Sequence, residues 1–408
     1  MLAVGTPRLQ ILPGNPDFLD LPWEQPIGEW NHPRLVTMPT GVHRHPVVFV
    51  AYHEGVYAIK ELPVRIAGRE YRVLRALQDL THRAAEPAGL VERGWMDPHD
   101  EPSAAVITQY VEHSFPYRRL VSGSGFGVRR SQMLDAVAGL LVELHIAGCY
   151  WGDCSLSNVL YRFDAGGIEA IMIDGETSEM HPGLSDGQRM HDLEIMEMNV
   201  AGEMADIAAM NETSITDADL ELGLGITDRY HALWKELTEH VAVERNESYK
   251  IRERIARIND LGFSVLDFQI VPTDTGNVVK ILTHVGGRTY NSDKLRQLTG
   301  IEASENQAKI LLGDLNYYLA KSGITSTTGK SVETFKWLTN SFEPLVARIA
   351  ESWPHGTDPI QGYCDFLHHR FVLATERGED VPNEEAFTSW AAAGYPGFPV
   401  GDGAAVGI

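Results

Sequence analysis

Between residues 131 and 174 the chain sets a long apolar stretch, SQMLDAVAGLLVELHIAG, ahead of a polar segment, YWGDCSLSNVLY, and then a short apolar run, IEAIMID. That succession leaves few ways to fold. The first stretch has apolar residues on most sides, as a helix enclosed by other elements requires, with Ser131 placed to cap it and Gly148 to close it. DAGG at 164–167 reads as a turn ahead of the apolar strand. Asp153 and Asn158 then lie in a loop between a buried helix and a strand hairpin, and Asp174 ends the hairpin's second strand.

The flanking sequence has the same readable texture. PVVFVAYHEGVYAIKEL (46–62) contains two β-rich runs around a His-Glu-Gly turn, a hairpin pattern. GREYRVLRALQDL follows as a helix with Tyr71, Leu74, Leu77 and Leu80 on a buried stripe, and SAAVITQYV (103–111) reads as a strand. LSDGQRMHDLEIMEMNVAGEMADIAAM is mostly helical. Residues 1–34, rich in Pro and Trp without a period, form an extension that either packs on something larger or stays partly disordered. NETSITDADLELGLGITD (211–228) marks a boundary. Charged helices follow it, HALWKELTEHVAVERNESYKIRERIARIND, then a second hairpin around the Pro-Thr-Asp-Thr-Gly-Asn turn. SENQAKILLGDLNYYLAKSG opens with a capping box, Ser304 with Gln307, and lines Ala308, Leu311, Leu312, Leu315, Tyr318 and Leu319 on one face. The expected organisation is an extension (1–34), a sheet-rich segment (35–111), a helical segment (112–228) and a carboxy-terminal α+β domain (229–408).

Composition narrows the function classes. A formal charge of −22, from 34 basic and 56 acidic residues, disfavours nonspecific attachment to nucleic acid or anionic membrane. Only three cysteines occur, Cys149, Cys154 and Cys364, with no CxxC pair or zinc spacing, which suits a reducing cytosol. No run approaches the eighteen or so apolar residues of a membrane span, and the amino terminus has no basic segment followed by an apolar run. We expect a cytoplasmic protein with no nucleic-acid partner and no integral membrane association.

Phosphoryl transfer from ATP asks a protein to hold the triphosphate, place magnesium, and orient an acceptor hydroxyl in line. Lys60 ends the strand VYAIK, where it would reach the α and β phosphates, and Glu70 on the next helix would hold it as an ion pair, with Glu61 as a competitor. Asp153 would take the acceptor's proton. Asn158 and Asp174 would bind the metal, and Glu176 adds a carboxylate nearby. Glu176 and Glu179 are either metal-side groups or polar loop residues. Asp192 is either an anchor of the catalytic loop or an exposed helical acid.

By order, spacing and context the chain resembles protein-kinase-like proteins of the compact bacterial type, such as lipopolysaccharide kinases, over residues 35–210. WGDCSLSNVLYRFDAGGIEAIMIDGETSEMHPGLSDGQRMHDLE, LTGIEASENQAKILLGDL and FLHHRFVLATERGEDV resemble a bacterial family, domain of unknown function 4032. The resemblance implies an α+β chain: a two-lobed kinase-like fold (N-lobe 35–111, C-lobe 112–228), then a smaller, mostly helical α+β domain. It implies ATP and magnesium as cofactors and adds Gln109 and Val111 as cofactor-binding positions. The activity expected is ATP-dependent phosphotransfer to a hydroxyl of a cytosolic acceptor, with a protein partner for the carboxy-terminal domain. The rivals are a nucleotide-binding pseudokinase that recruits a partner and a transferase that moves the nucleotide part of ATP.

Several departures from the kinase pattern bear on those rivals. Trp151 and Gly152, not His-Arg, precede Asp153, so no guanidinium grips a phosphorylated activation loop. Asp174-Gly175-Glu176 replaces Asp-Phe-Gly, and no Ala-Pro-Glu follows. No G-x-G-x-x-G precedes Lys60; the expected cover over the phosphates is PTGVHRHP (39–46). SGSGFG (122–127) reads as a linker, and the Cys364/His368 pair as core packing.

Overall fold

The computed structural model describes residues 5–38, 45–96, 102–120, 129–239, 241–244, 249–272, 278–352 and 358–399. PTGVHRHP lies outside these residues apart from His45 and Pro46, SGSGFG lies wholly outside, and so does all but the first residue of the second hairpin turn. Two compact units emerge, Met1–Tyr161 with Ala170–Glu239, and Arg162–Glu169 with His240–Ile408.

In the first unit β1 (Gly5–Ile11), β2 (Leu35–Val36), β3 (Val47–Tyr52), β4 (Gly55–Pro63), β5 (Pro87–Met96) and β6 (Pro102–Gln109) form an antiparallel sheet in the order β1-β5-β6-β4-β3-β2. The amino-terminal extension is part of this body. It supplies edge strand β1, and Phe18, Leu21, Trp23, Ile27 and Trp30 are buried with Val50, Tyr57, Ile59, Ala105 and Ile107. Aromatic edge-to-face contacts, such as Trp23 on Trp30 at 5.1 Å, take the place of a regular period there. The helix α1 (Val64–Gln78) starts four residues before GREY. Its Tyr71, Leu74 and Leu77 are buried, whereas Leu80, beyond the helix end, is 46% exposed.

Strand pleating decides where the charged residues of β4 go, because neighbours point to opposite faces. Tyr57 and Ile59 join the core that the extension covers. Glu61 follows them, accepting from Ile27 N (2.8 Å) and pairing with Arg93 (2.6 Å). Lys60 therefore points to the α1 side.

The helical half begins with β7 (Phe115–Pro116) and α2 (Arg130–Ile146). Leu134, Val137, Leu140, Leu141 and Leu144 are all buried, as expected of an enclosed helix. Ser131 does not cap it: Arg129 is the N-cap residue and makes no side-chain cap bond, and Ser131 lies inside the helix. Gly148 closes it at φ +79, and a β-carbon there would lie 2.1 Å from His181 O. Next come β8 (Cys149–Tyr150), β9 (Val159–Asp164), β10 (Gly167–Met172) and β11 (Glu179–Met180); β8 pairs with β11, and β9 lies between β10 and β7. Helix α3 (Asp186–Met210) opens with a capping box, Ser185 with Gln188. Short α4 (Asp217–Leu220) and α5 (Leu222–Thr238) follow, so this unit continues past 228 to Glu239.

In the second unit β12 (Val241–Glu244) interrupts the stretch read as charged helices and precedes α6 (Tyr249–Asp260). With β13 (Val265–Pro272) and β14 (Val278–Val285) it makes a sheet of order β12-β14-β13. Helices α7 (Tyr290–Thr299), α8 (Glu305–Ser322), α9 (Thr327–Trp337), α10 (Glu343–Ser352), α11 (Pro359–Arg377) and α12 (Asn383–Ala392) bury Leu311, Leu315, Trp337, Tyr363, Phe366 and Trp390 in one core. Residues 162–169, the tip of the β9–β10 hairpin, belong here. Asp164 is fully buried and accepts from Asn306 N (3.1 Å) and Gln307 N (2.8 Å) in the first turn of α8. Gln361 bonds both the N–H and the carbonyl of Ala165. Cys364 is buried in the same unit, and the His368 ring stacks on Phe398 at 4.4 Å.

Candidate functional site

Lys60 leaves β4 on the α1 side and meets three carboxylates. Its Nζ lies 2.9 Å from Asp174 Oδ2, 3.3 Å from Glu176 Oε2 and 3.5 Å from Glu70 Oε2. Glu61 is no competitor, since Arg93 holds it on the other face. Burial by itself lowers the Lys60 ammonium's pKa, but Glu70, Asp174 and Glu176 outweigh that and raise it above the usual lysine range. Glu70 is 2% exposed, and burial pushes its carboxyl up to about 7 in spite of Lys60. One ammonium shared among three acids stays charged, while the most buried of those acids is the one that ionises reluctantly.

The loop from Trp151 to Asn158 is held at many points. Asp192, fully buried, accepts from Trp151 N (2.7 Å) and Gly152 N (2.8 Å) and meets His145 Nε2 at 3.2 Å. It is an anchor, not an exposed acid. Gly152 sits at φ +78, and a β-carbon on it would lie 3.1 Å from Thr177 O. The position where kinases carry arginine is thus one that only glycine occupies without strain here. Trp151 Nε1 donates to the Asp174 carbonyl (2.9 Å), and Ile173 N donates to Asn158 O (3.1 Å), which ties the loop to the segment just beyond β10, where Asp174 follows the strand's end at Met172 rather than ending it. Asn158 Nδ2 donates to Asp153 O (3.0 Å) and lies 3.5 Å from Asp153 Oδ2.

The residues expected from sequence therefore fall into two contact groups joined by Trp151: Lys60, Glu70, Asp174 and Glu176, and Asp153 with Asn158. The contacts of Gln109 and Val111 lie elsewhere. Gln109, exposed at the end of β6, reaches Asn15 Oδ1 (3.3 Å), and the Val111 carbonyl accepts from Ser114 Oγ (2.6 Å). Glu179 is exposed and lies 3.5 Å from His181. Sequence reasoning missed Asn199 and Glu203 on α3. Asn199 Nδ2 donates to Asp153 Oδ1 and to Cys154 O, both at 3.0 Å, and Glu203 accepts from Leu156 N (2.9 Å) and Ser157 N (2.8 Å).

Magnesium prefers oxygen ligands, and the donor set here fits it. Glu176 Oε2 is buried and, among the described residues, accepts no hydrogen bond, facing Lys60 and, at 3.6 Å, His45. Such an oxygen is of the kind a cation would ligate. The Asn158 amide has its nitrogen turned to Asp153, so Oδ1 is the atom that would face a metal. Among the described residues no three of His, Cys, Asp and Glu are already gathered as a metal-ligand set; Lys60 stands between the acids instead.

Lys60 lies inside β4, which runs on to Pro63, and does not end the strand as the sequence suggested. A sheet-rich lobe carrying that lysine, a helical lobe with an Asp-to-Asn loop and a following Asp define a two-lobed, protein-kinase-like α+β fold, succeeded by a mostly helical unit. Residues 52–222 match the lipopolysaccharide kinase (Kdo/WaaP) family, and residues 232–394 match the domain of unknown function DUF4032. Among solved structures, WaaP in complex with acyl carrier protein aligns over 62% of this chain and 98% of that chain, at 16% identity and a TM-score of 0.35. No curated protein matches. Among the described residues no helix is long and apolar enough to cross a membrane.

Proposed function

We propose that the chain is an ATP-dependent phosphotransferase acting on a hydroxyl of a cytosolic acceptor. The match of residues 52–222 to a kinase family supports the class. The observation that carries the reading is the meeting of Lys60 with Glu70, Asp174 and Glu176, next to a loop that presents Asp153 and Asn158. Lys60 would exchange part of its carboxylate contacts for the α and β phosphates, with Glu70 limiting its swing. Magnesium, held by Asp174, Glu176 and Asn158, would neutralise charge on the phosphates. Asp153 would accept the acceptor's hydroxyl proton as the new oxygen–phosphorus bond forms and the bond to the departing ADP oxygen breaks. Asp153 Oδ1 is already taken by Asn199, whereas among the described residues Oδ2 has one neighbour at 3.5 Å, so Oδ2 is the receiving atom.

Purified protein incubated with γ-labelled ATP, magnesium and a cell extract should pass label to an acceptor. Asp153→Asn should bind magnesium-ATP like wild type and lose roughly 10²- to 10⁴-fold in transfer or ATP hydrolysis. Unchanged activity in that variant would refute the assignment of the base. The second reading, a pseudokinase, is favoured by the lack of a G-x-G-x-x-G before Lys60; it predicts ATP binding with no transfer or hydrolysis in wild type.

A further inference from the structure

Helix α3 carries Asp192, Asn199 and Glu203 at intervals of seven and four residues, spacings that return to the same side of a helix. All three reach the same loop, in sequence register. Asp192 takes the N–H groups of Trp151 and Gly152, Asn199 takes Asp153 Oδ1 and the Cys154 carbonyl, and Glu203 takes the N–H groups of Leu156 and Ser157. Beside these polar positions Met196, Val200 and Met204 are buried in the lobe's core, so the stripe is fixed to a rigid element.

We propose that Asn199 and Glu203 are positioning residues for phosphotransfer, aligning Asp153 from behind while Asp192 fixes the start of the loop. The inference rests on the function proposed above. The amide of Asn199 has two hydrogens on one nitrogen. One goes to Asp153 Oδ1 and the other to the backbone carbonyl of the next residue, so the carboxylate is held in one rotation relative to its own main chain. Glu203 does the complementary task from the other direction, offering both carboxylate oxygens to consecutive N–H groups ahead of Asn158. Its Oε2 and Oε1 take one N–H each, a two-point grip that fixes direction as well as distance. A base held at Oδ1 by an amide that is itself pinned to the next carbonyl keeps its second oxygen aimed at the acceptor, and misplacement by about 1 Å costs on the order of 10²-fold in rate.

The test compares Asn199→Asp, which keeps size but turns both donors into acceptors, with Asn199→Ser, which keeps a donor, and Glu203→Gln, which keeps shape and one acceptor. ATP turnover and hydrogen–deuterium exchange of residues 151–158 are measured on the full chain. Asn199→Asp is expected to lower kcat by about 10- to 100-fold with KM for ATP changed by less than about twofold, and Asn199→Ser to recover part of the loss. Both Asn199→Asp and Glu203→Gln should speed exchange in 151–158 and leave α2 protected. Equal exchange in wild type and Asn199→Asp, or a KM effect without a kcat effect, overturns the positioning role. A wild-type protein with no turnover overturns the phosphotransfer reading instead, and loop exchange still decides whether Asn199 and Glu203 hold the loop.

Discussion

Replacing Glu70 by Gln should make the protein more stable at alkaline pH and leave it unchanged in acid. The Glu70 carboxyl is 2% exposed, and burial raises its pKa from the ordinary 4.5 to about 7. A folded-state value above the unfolded one means that the unfolded chain gives up its proton first as pH rises, so stability is lost across the window from about 4.5 to 7. A shift of that size corresponds to about 3 kcal/mol. Glutamine removes this cost, in which the Lys60 attraction is already counted, but buries an amide of its own, leaving a net gain of about 2 kcal/mol at pH 8 and nothing at pH 4.5. For a unit of this size that gain is roughly 4–8 °C in melting temperature. Thermal unfolding followed by circular dichroism, in buffers of matched ionic strength from pH 4.5 to 8, reads it directly. A variant less stable than wild type at pH 8, or an offset that does not vary with pH, would show that the Lys60 pairing outweighs the burial. The same substitution should weaken ATP binding, because Lys60 then leans on Asp174 and Glu176 alone.

Three further outcomes are expected. Lys60→Met strands three carboxylates around an apolar side chain; calorimetry should show ATP affinity down at least about tenfold, with the protein folded but destabilised by about 1–3 kcal/mol, more at pH 8 than at pH 6. His145 is enclosed between Asp192 and Tyr230, and burial lowers its pKa despite the Asp192 carboxylate; the stability it contributes is present above about 6.5 and is lost as pH falls below it, so a His145→Gln variant should show a shallower acid limb in urea unfolding. Asp164→Ala leaves Asn306 N and Gln307 N without their acceptor, which should cost about 1–2 kcal/mol, with Asp164→Asn recovering most of it in the same assay.

Local patterns carried the fold as far as contacts between neighbours in sequence or strand. The pleat of β4 parts Lys60 from Glu61, which the sequence left in competition, and Ser185, Ser304 and Gln307 mark their helix starts by a side chain bonding within a turn. The contact between Asp153 and Asn158 was legible because the two are close in sequence. Asn199 and Glu203 were not, since EIMEMNVAGEMAD is acidic on several sides and nothing in it says which side meets the loop. The aromatic packing of residues 18–30 has no period to detect. The strand β12 hides in a charged stretch because its pairing partner, β14, lies some forty residues later. The seating of DAGG in the second unit likewise depends on residues 306, 307 and 361, far beyond any sequence window.

That last feature sets an order of events during synthesis. The stretch joining Asn158 to Asp174 is synthesised early, yet Ala165 must wait for Gln361, 196 residues later. At translation speeds of about 5–20 residues per second the wait is roughly 10–40 s. For that interval Asp164 has no helix start to cap and Ala165 no glutamine to bind. Asn158 and Asp174, the residues proposed to face the metal, are therefore spanned by a segment that finishes folding after the whole first unit is made, and a nascent chain cut short before residue 305 would never finish it.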